Sequence, residues 1–207
     1  QIADSVEYLE RAQGIVRGHE LIDSQAIRGF GFSGLLIPLF AVAELVGLER
    51  TVHIVHAAQA LQIALALALA WATARLGARL GGRACGVAAA GVVAFSPIVL
   101  RWGVEPVSGI APALFLVLGL QRVLDARSTR DGALAGLWFG LALMMAYQAI
   151  LVVGAILLAV GARDLLGKRR AEGGRAVVGA ALTSLAGLVL LQCVFDWLYY
   201  GTFGISV

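Results

Sequence analysis

Six apolar runs, roughly Phe30–Leu48, Val52–Ala74, Ala84–Leu100, Ile110–Leu124, Gly132–Ala162 and Ala176–Tyr199, fill almost everything after the first 29 residues of this chain. A hydrocarbon core of ~30 Å takes about 20 helical residues to cross, so runs of this length restrict the chain to a few architectures. No alternating pattern is sustained, and every long segment is rich in Ala, Leu and Gly, which favours helices over a barrel. With 14% charged residues the chain lies far below the roughly one quarter usual in soluble domains. The expected class is all-α, a polytopic transmembrane helical bundle, and the expected location is a membrane.

The fifth run is too long for one crossing. Tyr147 and Gln148 interrupt it, and it reads as two short helices meeting there beside a cavity, for a total of about six to seven membrane segments in residues 30–207. Small residues in Gly86–Gly91 and in Ala133–Met145 allow close helix packing. Cys85 and Cys193 have apolar neighbours and no metal-ligand spacing, so both are expected to pack, with neither a disulfide nor a zinc site. The chain starts at Gln1 without Met or signal peptide and stops soon after Tyr200-Gly201, which suggests a piece of a longer protein, incomplete at both ends.

The net charge of +3 comes from arginine and lysine clusters between apolar runs, a topology signal rather than a nucleic-acid footprint. Arg75, Arg79 and Arg83 have no acidic neighbours, and Arg163, Lys168, Arg169, Arg170 and Arg175 outnumber Asp164 and Glu172, so both stretches are expected to be cytoplasmic. Counting spans puts Arg101–Ser108 and Asp196–Gly204 on the opposite face. Two full crossings before Arg75 would return the N-terminus to the cytoplasm, so an extracytoplasmic N-terminus requires that Phe30–Leu48 or Val52–Ala74 does not fully cross.

Residues 1–29 contrast with the rest, holding Asp4, Glu7, Glu10, Glu20 and Asp23 beside the first apolar run. From Ser5 to Arg17 the pattern predicts an amphipathic interfacial helix, with Val6, Leu9, Ala12 and Val16 on one side and Asp4, Glu7, Glu10, Arg11 and Arg17 over the other. Asp4 would stand near its N-terminus, where the helix dipole favours a carboxylate, as a helix cap or as a reactive group. Ionisable groups next to lipid are functional candidates because their desolvation is costly. Four clusters qualify: Asp4 with Glu7, the Glu20-to-Arg28 stretch, Arg101 with Glu105, and Asp196 beside Tyr199 and Tyr200. His53 and His56, with Gln59 and Gln62 nearby, lack a carboxylate to complete a metal site and read as a polar helix–helix contact.

The order of these clusters resembles the GT-C membrane glycosyltransferases, and most of all the polyprenyl- or dolichyl-phosphate-sugar mannosyltransferases of the group containing the GPI-anchor and N-glycan-precursor enzymes. The residues that carry the resemblance are Ala3-Asp4-Ser5 followed by Tyr8-Leu9-Glu10, then His19-Glu20, Ala26-Ile27-Arg28-Gly29 with Pro38 in the next span, Arg101-Trp102-Gly103-Val104-Glu105-Pro106, and Asp196-Trp197-Leu198-Tyr199-Tyr200-Gly201. Ser5 stands where a second acid is usual in that group. The resemblance implies an inverting transfer of a mannose-like sugar from a lipid-linked donor to a hydroxyl on a glycan, lipid or protein acceptor, at the extracytoplasmic face.

In that scheme Asp4 is the general base, Arg28 or Arg101 pairs with the lipid phosphate, and Glu20, Glu105 and Asp196 hold sugar or acceptor hydroxyls or orient the arginines. No cofactor is assigned; a divalent cation is compatible with the scheme but has no support in the sequence. The setting would be a bacterial inner or plasma membrane, or the endoplasmic reticulum membrane in a eukaryote. A transporter fragment and a non-catalytic membrane-assembly subunit are the alternatives. The first predicts inverted repeats, none of which is visible in these 207 residues.

Overall fold

The computed structural model describes residues 2–18, 31–47, 51–103, 105, 108–126, 128–166 and 171–200. These residues are all-helical, with no strand among them. Eight helices follow one another: α1 (Ile2–Val16), α2 (Gly31–Leu45), α3 (Thr51–Ala94), α4 (Pro97–Trp102), α5 (Ile110–Asp125), α6 (Thr129–Met145), α7 (Ala149–Leu166) and α8 (Ala171–Tyr200). Two stretches are long and apolar enough to cross a membrane, Val52–Ala94 and Ala176–Val194; Gly31–Leu45 and Ala149–Ala162 are apolar but shorter.

α3 is a helical hairpin. Gly81 and Gly82 leave helical geometry, and Gly82 takes φ 81°, a left-handed conformation that an L side chain strains to adopt. The arms lie so close that a Cβ on Gly86 would fall 2.7 Å from the Ala74 carbonyl oxygen. The expected loop from Arg75 to Arg83 therefore shrinks to two glycines, with Arg75 and Arg79 inside the first arm. The second arm stops at Ala94, and Pro97, whose fixed φ suits a first helical position, starts α4.

α5 and α6 form an antiparallel pair joined at Ser128. Its hydroxyl accepts from the Asp131 backbone N–H while the Asp131 carboxylate accepts from the Ser128 N–H, closing a capping box that fixes where α6 begins. Phe115 stacks on Trp138 across the pair at 5.5 Å. The long apolar region breaks where expected, α6 ending at Met145 and α7 beginning at Ala149 after the Tyr147–Gln148 turn.

α6 and α8 make the tightest contact, and they run parallel. Gly132, Gly136 and Gly140 form one stripe on α6, facing Val177, Ala181 and Leu188 in the same order, with the carbonyls of Val177 and Ala181 where Cβ atoms would stand on Gly132 and Gly136. Small residues at this spacing let two backbones approach, so dispersion contacts replace side-chain interdigitation.

α2 buries Phe32, Leu36, Phe40 and Ala43, one helical stripe, and Pro38 costs it one internal hydrogen bond. Its 15 residues reach about 22 Å at 1.5 Å each, short of a bilayer core of ~30 Å.

Three expectations need correction. On α1, Val6 is 44% exposed while Tyr8, Arg11 and Ala12 are buried, because α1 packs Tyr8 edge-on against Phe32 at 5.2 Å instead of turning all its aliphatic residues inward. His53 and His56 are exposed; the buried polar residue of that region is Gln62. Cys85 is exposed near the start of the second arm of α3, just past the Gly81–Gly82 turn, whereas Cys193 is buried.

The stripe on α6 predicts an asymmetric response to added methyl groups. Gly136→Val should lower unfolding stability by about 1–3 kcal/mol through overpacking, whereas Gly179→Ala, on open helix surface, should be neutral or stabilising by up to ~1 kcal/mol. Thermal unfolding of the two variants in detergent checks the difference.

Candidate functional site

Three contacts fix the direction of the first arm of α3 against α5. Gln62 Nε2 donates to the Glu105 carbonyl at 3.2 Å, Gln121 Nε2 donates to the Ala72 carbonyl at 2.5 Å, and Arg79 pairs with Asp125. Both partners rise in number together, so the helices run parallel. The turn containing Glu105 and Ser108 lies at one end of the bundle and Asp125 at the other.

The first end gathers most of the groups with chemical potential. Arg101 leaves α4 and its Nε donates to Glu105 Oε1 at 3.4 Å, an i, i+4 pair across the helix end. Arg101 is 60% exposed and Glu105 29%, so the cation stands outward on a carboxylate set further in. Glu105 Oε2 is buried and accepts no hydrogen bond among the described residues, an acceptor left open at this end of the bundle.

Helix α1 is tied to the same turn, since the Tyr8 hydroxyl donates to Ser108 Oγ at 3.2 Å. Three residues on, Arg11 is 1% exposed and pairs with Glu7 at 3.4 Å. Burying a guanidinium costs several kcal/mol of desolvation unless a carboxylate accompanies it, which gives Glu7 its role at i−4. At its other end α1 is fastened by Arg17 Nε to Glu44 Oε1 at 3.0 Å, and Gly31, at the start of α2, abuts the backbone of Met144. α1, the start of α2, the Arg101–Ser108 turn and the α6–α7 turn thus share one end.

The predicted residues divide accordingly. Arg101 and Glu105 are together. Asp4 is in the first turn of α1, and helical register gives position 4 the face of Tyr8 and Arg11 at i+4 and i+7, although its side chain lies outside what is described. Asp196 is on α8, eight residues or about 12 Å beyond the level where Leu188 meets Gly140, which carries its backbone to the end holding the α6–α7 turn. Its side chain, and all of Glu20 and Arg28, lie outside the described residues. No group of three metal-ligating side chains occurs among the described residues.

Four contributors escaped the sequence reading in this role: Tyr8, Arg11, Ser108 and Gln62. Tyr8, Arg11 and Ala12 at i, i+3 and i+4 do form a stripe, but an arginine in that stripe reads as the polar side of an amphipathic helix until its neighbours are known. Chemically, the arrangement offers an outward guanidinium whose terminal nitrogens are free of Glu105, suited to an anionic oxygen, and carboxylates suited to hydroxyls. Comparison of the chain with protein-family models, with curated proteins and with solved structures gives no match in any of the three.

The Tyr8–Ser108 bond is testable by a double-mutant cycle. Tyr8→Phe and Ser108→Ala should each destabilise, and their coupling energy should be about 0.5–1.5 kcal/mol, as for one neutral hydrogen bond. A coupling near zero in unfolding titrations would mean that α1 is not held to this turn by that bond.

Proposed function

We propose that the chain is part of a polytopic membrane glycosyltransferase of the GT-C type, which moves a mannose-like sugar from a polyprenyl- or dolichyl-phosphate donor to a hydroxyl acceptor. The observation that carries the reading is the exposed Arg101, braced by Glu105 in a turn to which α1, the helix bearing Asp4, is hydrogen-bonded. A base, a phosphate-binding cation and hydroxyl-binding carboxylates are what such a transfer needs, and the sequence resemblance assigns these roles to the same residues.

A membrane setting is supported by the surface as well as by helix length. Leu67, Phe95, Leu151, Leu158 and Leu198 are each about two-thirds exposed or more, on three different helices and the stretch before α4. Soluble monomers rarely expose apolar patches beyond a few hundred Å², because each costs about 25 cal/mol per Å² in water and nothing in lipid. With the arginine-rich end cytoplasmic by the positive-inside rule, the Arg101–Glu105 end faces the exterior or lumen.

In this mechanism Asp4 accepts the proton of the attacking hydroxyl as that oxygen bonds to the anomeric carbon from the face opposite the phosphate. The C–O bond to the phosphate breaks with its electron pair on the departing oxygen, and Arg101, with Arg28, stabilises the charge that collects there. Glu20, Glu105 and Asp196 hold sugar or acceptor hydroxyls or orient the arginines.

The test is transfer from a labelled polyprenyl-phosphate sugar in membranes containing the full-length protein. Asp4→Asn should lower the rate by about 10²–10⁴-fold, as for loss of a general base, and Arg101→Gln should lower it with the fold intact by unfolding measurements. Wild-type transfer matched by Asp4→Asn would return Asp4 to a helix cap. Absence of transfer from any common donor would favour a transporter or an assembly subunit.

A further inference from the structure

The opposite end of the bundle carries a second arrangement of charge and apolar surface. The described residues there include Arg75, Arg79, Arg83, Arg122 and Arg130 against Asp125 and Asp131. Both aspartates are already engaged, Asp125 by Arg79 and Asp131 by the Ser128 capping box. Arg79 also donates to the Leu124 carbonyl at 3.2 Å, so its guanidinium serves the α3–α5 contact. The positive excess falls on the other arginines.

Two of these sit on the α3 hairpin in a particular setting. The Arg75 guanidinium lies over the Trp71 ring at 4.9 Å, and both residues are exposed. Arg83 is exposed just past the Gly81–Gly82 turn, about 9 Å along the axis from Arg75 at 1.5 Å per residue. On the face of Arg75, one and two turns further from the tip, Trp71 and Leu67 are 58% and 67% exposed. An exposed arginine followed inward on the same face by an exposed tryptophan and leucine, with a second arginine at the tip, matches the layering of a leaflet, with acyl chain below and phosphate above.

We infer that the tip of the α3 hairpin is a binding site for an anionic phospholipid, whose headgroup phosphate is held by Arg75 and Arg83 and whose acyl chains lie on Trp71 and Leu67. The inference rests on the membrane reading but not on the glycosyltransferase chemistry, since it concerns the face away from the candidate site. Acidic lipid over a nucleic acid or an acidic peptide follows from the exposed apolar side chains that continue the face of Arg75 away from the tip, which a polyanion in water would leave bare. Each arginine near a leaflet surface strengthens attraction to acidic lipid about fivefold.

Trp71 supplies the probe. The full-length protein is reconstituted in phosphatidylcholine vesicles containing brominated phosphatidylglycerol or, at equal mole fraction, brominated phosphatidylcholine, and the Trp71 signal is taken as the difference from Trp71→Phe. Quenching by the anionic lipid should exceed that by the zwitterionic one, the preference should fall about fivefold in Arg83→Gln, and high salt should diminish it in the unmodified protein. The charge-neutral pair Arg79→Gln with Asp125→Asn should leave the preference in place. Equal quenching by the two lipids, or a preference indifferent to Arg83→Gln and to salt, would overturn the site. Quenching by neither lipid would overturn the membrane reading beneath it.

Discussion

The parallel register of the first arm of α3 on α5 organises this protein. It is pinned near one end by Gln62 on the Glu105 carbonyl and at the other by Arg79 on Asp125, with Gln121 on the Ala72 carbonyl between them. Each pin is a polar contact between largely apolar helices, where the alternative for a buried amide is an unsatisfied donor, so sliding by a turn would break all three together. That register separates the ends of the bundle chemically. One end receives the Arg101–Glu105 turn and α1, and the other collects Arg75, Arg79, Arg83, Arg122 and Arg130.

Packing around this axis relies on small residues more than on interlocking large ones. The Gly132–Gly136–Gly140 stripe brings α8 against α6, and Gly77 and Gly86 bring the arms of α3 together. The large aliphatic side chains are thereby released outward, which explains how 60% of the chain is hydrophobic while so much of that surface is exposed. The same logic makes α1 distinctive. Its buried side includes an arginine and a tyrosine hydroxyl, each with a polar partner, so it docks by polar contacts as well as by apolar ones.

Much of the fold is legible along the chain because it rests on local physics. The Tyr147–Gln148 break follows from run length and a polar pair, and a reversal near Arg75–Arg83 follows from the arginines that separate two apolar runs, although only the structure places it at Gly81-Gly82. The pairing of Arg101 with Glu105 is an i, i+4 relation visible in sequence. Less legible were the roles of Tyr8, Arg11, Gln62 and Ser108, whose partners, Glu7 of Arg11 excepted, lie tens of residues away. The misjudged histidines illustrate the limit. His53, His56 and Gln62 lie on one polar-flecked helix, and only the position of α5 decides that Gln62 turns inward and the histidines outward.

Hydropathy and helix period alone determined that the chain is helical, where most helices break, and that its charges fall into separate clusters, because those properties arise within a few turns of backbone. Tertiary structure alone decided which clusters meet. A contact such as Tyr8 with Ser108 depends on the closure of a hundred-residue loop and on glycine-mediated approach of helices that no local pattern encodes. Arg11 is the sharpest case: its sequence neighbours mark it as a surface cation, and only the docking of α1 against α2 and the Ser108 turn makes it a buried one.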